Sequence, residues 1–183
     1  MEVRAAAPDD IPAIHAIYAH HVAHGLGSFE ETAPSAQELR ARYDEITGRG
    51  FPYLAADLGG MVAGYGYCTL YRLRSAYRYA LEDSVYVRQD MAGRGIGSAI
   101  LRELIRRCES IGVRQLIALI GDSANGASIG LHASHGFVRV GTLRSVGNKH
   151  GRWVDCAIMQ RPIGPGDGAP PADRAATRPA GSA

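Results

Sequence analysis

The sequence is poor in the features that mark secreted, membrane-embedded or nucleic-acid-binding chains. Its three cysteines, Cys68, Cys108 and Cys156, are odd in number and far apart. They offer neither a disulfide framework nor zinc-site spacing, and suit a reducing compartment in which each is a small buried hydrophobe. No apolar run approaches the ~20 residues a membrane span needs, and Met1-Glu2-Val3-Arg4 lacks a signal peptide's apolar stretch. A net charge of +2 is too small to argue for nucleic acid or an anionic bilayer. His15, His20, His21 and His24 are spread along one predicted helix without a carboxylate or cysteine at ligand spacing, so no metal is expected. What remains is 183 residues, 46% hydrophobic and 21% charged, enough for one cored cytoplasmic domain and too few for two.

Periodicity places the elements. Met1–Ala6 reads as a strand, and Ile11, Ile14, Ile17 and Tyr18 recur at helical spacing behind Pro8-Asp9-Asp10. Ser35 with Glu38 three residues on starts a second helix, ending near Gly48. Two strands follow, Tyr53–Ala56 and Val62–Tyr71, around a turn at Asp57-Leu58-Gly59-Gly60. The second alternates small and aromatic residues through Gly64, Tyr65, Gly66 and Tyr67. A basic, aromatic connection, Arg72–Arg78, leads to a strand over Tyr79–Val87. The next helix should bury Ile96, Ile100, Leu101, Leu104, Ile105, Cys108 and Ile111, with Gly112 ending it. Gln115–Ile120 reads as an interior strand, Asn125–Ser134 as a helix, and Phe137–Leu143 and Trp153–Met159 as closing strands joined through Gly147–Gly151. The order β-α-α-β-β-β-α-β-α-β-β describes an α/β fold, a mixed sheet with helices on its faces. It occupies residues 1–163. From Gly164 the Pro/Gly/Ala-rich composition predicts a disordered tail over 164–183.

The most informative stretch joins Ser84-Val85-Tyr86-Val87 to Gly93-Arg94-Gly95-Ile96-Gly97-Ser98 and the helix behind it. Glycine at alternate positions lets backbone N–H groups converge, and a helix N-terminus adds partial positive charge, so the turn suits a phosphate or pyrophosphate. A nucleoside-triphosphate P-loop needs Gly-Lys-Ser/Thr, and no lysine follows Gly97. A dinucleotide fingerprint wants a third glycine where Ser98 stands, after the first strand of a βαβ unit; this turn lies in mid-chain behind several strands.

The element order, the glycine turn Ala92–Gly97 and the block Asn125–Phe137 together resemble the GCN5-related N-acetyltransferase (GNAT) superfamily, over nearly the whole chain before the tail. His132 after Leu131, with Leu81–Val87, Ser28-Phe29-Glu30, Tyr77 and Asn148–Asp155, narrows the resemblance to the phosphinothricin and methionine sulfoximine/sulfone acetyltransferases. The resemblance implies a fold with splayed central strands, acetyl-CoA as co-substrate and a homodimer. It implies a cofactor site formed by Val85, Tyr86, Val87, Gly93, Arg94, Gly95, Ile96, Gly97, Ser98, Asn125 and Ser128. One position departs from the pattern: Ala92 stands where the family usually has Gln or Arg.

Acetyl transfer requires a neutral amine, a partner for the oxyanion and a proton for the leaving thiolate. Strand alternation puts Glu82, Ser84 and Tyr86 on one face and Leu81, Asp83, Val85 and Val87 on the other. Glu82, among apolar neighbours, is the candidate base, with Asp83 the competitor. His132 is expected to act as base or as acid, and a backbone N–H of Val85–Val87 to meet the oxyanion. An acidic acceptor suits an arginine among Arg72, Arg74 and Arg78. By resemblance, Arg74, Ser75, Ala76 and Tyr77 line the acceptor pocket, and Phe29 and Lys149 close it. The expected activity is N-acetylation of a small amino-acid-like amine. The alternatives are acetylation of a protein amine, or CoA sensing without turnover.

Overall fold

Two of the long helices start on a side-chain cap that the sequence supplies. The computed structural model describes residues 1–171. Its elements are β1 (Glu2–Ala5), α1 (Ile11–His24), α2 (Ala36–Gly48), β2 (Tyr53–Leu58), β3 (Met61–Leu70), β4 (Ala80–Val87), α3 (Ile96–Ser110), β5 (Gln115–Gly121), α4 (Gly126–Ser134), β6 (Val138–Lys149) and β7 (Arg152–Pro162). The order is the one read from the sequence. Ser35 caps α2 by accepting from the Glu38 N–H, while the Glu38 carboxylate accepts from the Ser35 N–H at 2.7 Å, the reciprocal box expected there. Asn125 caps α4 in the same way, its side-chain oxygen accepting from the Ser128 N–H at 3.1 Å.

The strands form one sheet in the order β1-β2-β3-β4-β5-β7-β6. All pairings are antiparallel except β4 with β5. Helices α1 and α2 cover one face, on which the rings of Tyr53, Tyr65, Tyr67 and Tyr86 stack. Helix α3 covers the other and buries Ile96, Ile100, Leu101, Leu104, Ile105 and Cys108, each worth about 1.5–3 kcal/mol for the larger side chains. The small–aromatic alternation of β3 follows from these two layers. Tyrosines face α1 and α2, whereas Gly64 and Gly66 lie under α3, where an added Cβ on Gly66 would fall 2.6 Å from Ile100 Cγ2. Ile111, expected in the core, lies past the helix end and is only half-buried.

Three local expectations change. Strand β2 runs on to Leu58, which leaves Gly59 and Gly60, both at positive φ, as the turn. Strand β6 extends through Gly147, Asn148 and Lys149, paired with Val154, Trp153 and Arg152, so the connection shrinks to His150-Gly151. Both turn residues have positive φ (51° and 72°), the hand that a two-residue hairpin requires. Finally, the first residues of the expected disordered tail turn back on the body. The Gly166 N–H donates to Ile163 O, and Arg114 donates to the carbonyls of Gly166 and Pro170. The remainder, 172–183, lies outside the described residues.

The packing of α3 on β3 sets a measurable tolerance. Gly66→Ala is expected to lower stability by about 1–3 kcal/mol in a urea melt, because the new methyl meets Ile100 and the Ser84 carbonyl at once. An unchanged midpoint would show that α3 does not approach β3 this closely.

Candidate active site

The site begins with a pairing that stops. β4 and β5 run together from Ala80↔Gln115 to Asp83↔Ala118, and beyond that point the two strands pair no further with each other. Both continue, β4 to Val87 along β3 and β5 to Gly121 along β7. The sheet therefore opens into a V with its apex at Asp83, the splay expected from the resemblance. Along β4 the backbone groups alternate. The Arg88 N–H donates to Ala63 O across β3, so those of Val85 and Val87 face the opening and those of Tyr86 face β3. The oxyanion donor expected somewhere in Val85–Val87 is thus narrowed to Val85 or Val87. The Val87 carbonyl, on the open side, accepts from His21 Nε2 at 2.8 Å, which fixes that ring's proton on Nε2. His21 is a contact that the sequence reading passed over.

The V continues into a cleft of about 450 Å³ on the α3 and α4 side of the sheet. Its walls include Val85, Tyr86, Val87, Ala92, Gly93, Gly95, Ile96, Gly97, Ser98, Asn125, Ser128 and His132. Of the cofactor residues expected from the sequence, Arg94 alone does not line it; its side chain is exposed. Gly93 and Gly95 have φ of 76° and 77°, a left-handed pair that aims the chain into α3. The Gly95 carbonyl closes the first helical turn by accepting from Ala99, so the N–H groups of Ile96, Gly97 and Ser98 have no partner within the helix. A Cβ on Gly97 would contact Leu131 and Val87, so the cradle is tight there. Backbone donors, a positive helix end and an elongated cleft fit a pyrophosphate joined to an extended arm. Ala92 stands in the wall with nothing but a methyl group, and the backbone donors lie on its C-terminal side.

Two carboxylates sit back to back at the apex. Glu82 faces the α1/α2 side beside Thr69 of β3, and it has no hydrogen-bond partner among the described residues. Burial, helped by the neighbouring Asp83 charge and opposed by Arg72, pushes its carboxyl up to about 7. Of the three arginines in the connection before β4, Arg72 is the one whose charge reaches Glu82.

Asp83 faces the other way and is closed to solvent. Its Oδ2 lies 2.9 Å from His132 Nε2, while Oδ1 is buried without a partner. His132 Nδ1 lies 2.8 Å from the Ser128 carbonyl, which can only accept, so Nδ1 carries a proton. Nε2 then either donates to a carboxylate or accepts from a carboxylic acid, and in both cases the pair holds one proton between its two members. Burial alone would lower the imidazole's affinity for that proton, but the bond and charge of Asp83 outweigh it, and the net shift is upward. His132 and Asp83 are thus bonded to each other, on the face opposite Glu82.

The expected acceptor residues are dispersed. Arg74, Ser75, Ala76 and Tyr77 form an exposed turn, and neither they nor Phe29 and Lys149 line the cavities beside β4. Lys149 is buried, and its Nζ donates to the Ser28 carbonyl at 2.7 Å. Phe29 packs its ring on Gly147, where a Cβ would come within 2.3 Å. These two residues tie the β6–β7 hairpin to the loop after α1, and the same loop lies across the end of β5, with Leu26 O against Gly121. Lys149 and Phe29 thus hold the hairpin against that loop.

The chain matches the acetyltransferase (GNAT) domain family over residues 3–158. It belongs to that family and is an N-acetyltransferase with acetyl-CoA as co-substrate. Among individual relatives, a phosphinothricin N-acetyltransferase of Alcaligenes faecalis is 55% identical over 90% of this chain and 84% of that protein. An L-methionine sulfoximine/L-methionine sulfone acetyltransferase of Pseudomonas aeruginosa is 38% identical over 92% of this chain and 98% of its own. The crystal structure of a phosphinothricin acetyltransferase from Sinorhizobium meliloti in complex with acetyl-CoA superposes with a TM-score of 0.91. It is 44% identical and covers 94% of this chain and 93% of that one.

The raised Glu82 carboxyl has a thermodynamic consequence. An acid that holds its proton more tightly folded than unfolded leaves stability intact below the unfolded value and removes it as pH rises through the folded one. Glu82→Gln should therefore melt above wild type at pH 8, with the difference vanishing towards pH 4. A gap independent of pH would mean that the carboxylate is not desolvated.

Proposed function

We propose that the protein acetylates the free amino group of a small amino-acid-like acceptor of the phosphinothricin or methionine sulfoximine/sulfone type, with Glu82 as general base. The observation that carries this reading is the placement of a proton acceptor and a proton holder on opposite faces of one strand, at the apex of the cleft. Bound acetyl-CoA brings an activated acetyl group. Gly93, Gly95, Ile96, Gly97 and Ser98 would hold its pyrophosphate, and Asn125 and Ser128 its arm.

Glu82, poised near neutral pH, takes the proton from the acceptor ammonium directly or through a water. The amine nitrogen bonds to the acetyl carbon as the carbon–sulfur bond breaks, and the nitrogen releases its second proton to water as the amide forms. The Asp83–His132 pair keeps one proton at the apex for the sulfur that leaves with the bonding electrons. A Val85 or Val87 N–H is oriented towards the developing oxyanion. Arg72 supports an acidic acceptor, since its charge already acts on Glu82. The three free buried cysteines support a cytoplasmic setting.

Thiol release from acetyl-CoA is the direct test, with phosphinothricin, methionine sulfone and methionine sulfoximine set against ordinary amino acids, polyamines and peptides. Turnover of the first group should rise with pH through about 7, and Glu82→Gln should lower kcat about 10²–10⁴-fold with little change in acetyl-CoA affinity. Turnover of peptides alone points to a protein acetyltransferase. Cofactor binding without any turnover points to a sensor.

The body of the domain is read as residues 1–163 and its active form as a homodimer. Support comes from β6, an edge strand that leaves Val138, Val140, Leu143 and Val146 exposed, with Trp153 beside it on β7. Light scattering after gel filtration should give twice the chain mass, and Val140→Asp should shift it towards one chain. A monomeric wild type would refute the dimer.

A further inference from the structure

The register of β6 on β7 shifts between Leu143, which faces Cys156, and Gly147, which faces Val154. Arg144, Ser145 and Val146 therefore bulge opposite a single residue, Asp155. Ser145, in the middle of the bulge, has φ of 49°, a left-handed conformation that a residue with a Cβ keeps only where its surroundings hold it. Asp155 supplies the hold: the Ser145 N–H donates to its Oδ1 at 2.8 Å.

The same residue reaches a second segment. Its Oδ2 accepts from the Ser123 hydroxyl at 2.9 Å, and its backbone carbonyl accepts from the Asp122 N–H at 2.9 Å. Asp155 thus fastens the connection between β5 and α4 with two bonds and the β6 bulge with a third. The Ser145 N–H, and after it the Ser123 hydroxyl, hold the carboxyl below the usual aspartate range, so it bonds as an anion at neutral pH.

The connection is short and sharply bent. Asp122 has φ of 67°, its Oδ1 accepts from the Ala124 N–H at 3.0 Å, and its backbone carbonyl accepts from the Asn125 N–H. Asn125 follows, lining the cofactor cleft. Its Oδ1 is taken by the cap of α4, so the group it can offer the cleft is Nδ2. Asp122, Ser123, Ser145 and Asp155 do not line that cleft. The far end of α4 has anchors of its own, His132 on Asp83 at 2.9 Å and His135 on Ser98 at 3.2 Å.

We propose that Asp155, acting through Ser123, is a positioning residue for acetyl-CoA: it fixes the connection that aims the Asn125 amide at the cofactor's arm. The proposal rests on the reading that Asn125 holds that arm, and adds to it the residue that keeps Asn125 in place. Asp155 touches neither cofactor nor acceptor. Because His132 is anchored separately, loss of Asp155 weakens acetyl-CoA binding and spares the chemical step.

The full chain serves for the test, with acetyl-CoA affinity read by titration calorimetry and kcat by thiol release with methionine sulfone at saturating acetyl-CoA. Ser123→Ala and Asp155→Ala should each raise the acetyl-CoA Kd about tenfold, the scale of one lost bond to a charged group, with kcat within about twofold of wild type. Asp155→Asn should bind as wild type does, since its amide can accept from the Ser145 N–H and donate to the Ser123 oxygen. If Asp155→Ala folds poorly, adding Ser145→Gly relieves the left-handed residue; that double variant should regain the melting temperature and keep the weak binding. Asn125→Ser retains a capping oxygen but no amide, and should weaken binding by itself. Adding Ser123→Ala to it should then change the Kd no further, because both act on one contact. Wild-type affinity in Ser123→Ala, or its full effect on top of a weakened Asn125→Ser, would overturn the positioning role and leave the Asn125 reading standing. So would a loss confined to kcat. Wild-type affinity in Asn125→Ser would overturn that reading and the proposal with it.

Discussion

One constraint organises the molecule: β4 must pair on both sides below Asp83 and on one side above it. The lower half is held by β3 and β5 together and carries buried Leu81. The upper half presents backbone groups that no strand answers, and unpaired backbone inside a fold is costly unless something else bonds it. His21 answers the Val87 carbonyl from α1. The rest of the opening is the surface on which an extended ligand arm can lie. Had β5 followed β4 to Val87, the sheet would have been better bonded and the cleft would not exist.

The apex also sets two adjacent acids apart. Successive side chains of a strand face opposite sides, so Glu82 and Asp83 meet different surroundings although their α-carbons are neighbours. Glu82 has space, no partner and an opposing arginine charge at a distance. Asp83 has a histidine at 2.9 Å and no solvent. The neighbouring Asp83 charge also makes Glu82 harder to ionise, which contributes to its upward shift. Environment separates the two acids.

Much of this was legible in the sequence where the signal is local. Apolar spacing located α3, Ser35 with Glu38 located the start of α2, and the Gly93–Gly97 run located the turn that leads into α3. Alternation separated Glu82 from Asp83 correctly. What could not be read depends on residues distant in sequence. The Asp83–His132 bond spans 49 positions and the Lys149–Ser28 bond 121, and neither leaves a periodic trace. β6 was cut short because its register shifts between Arg139 and Gly141 and again between Leu143 and Gly147, which breaks the two-residue period a strand is recognised by.

Lys149 is the only lysine in the chain. Its amine is sealed in the interior and bonded to Ser28 O. An enzyme that handles an acetyl donor all its working life is exposed to slow, unguided acylation of its own side-chain amines. This one presents arginines to solvent instead, whose guanidinium groups stay protonated and are poor nucleophiles. Its surface arginines are therefore inert towards the reagent it carries, and its one side-chain amine is the one that ties the β6–β7 hairpin to the loop after α1.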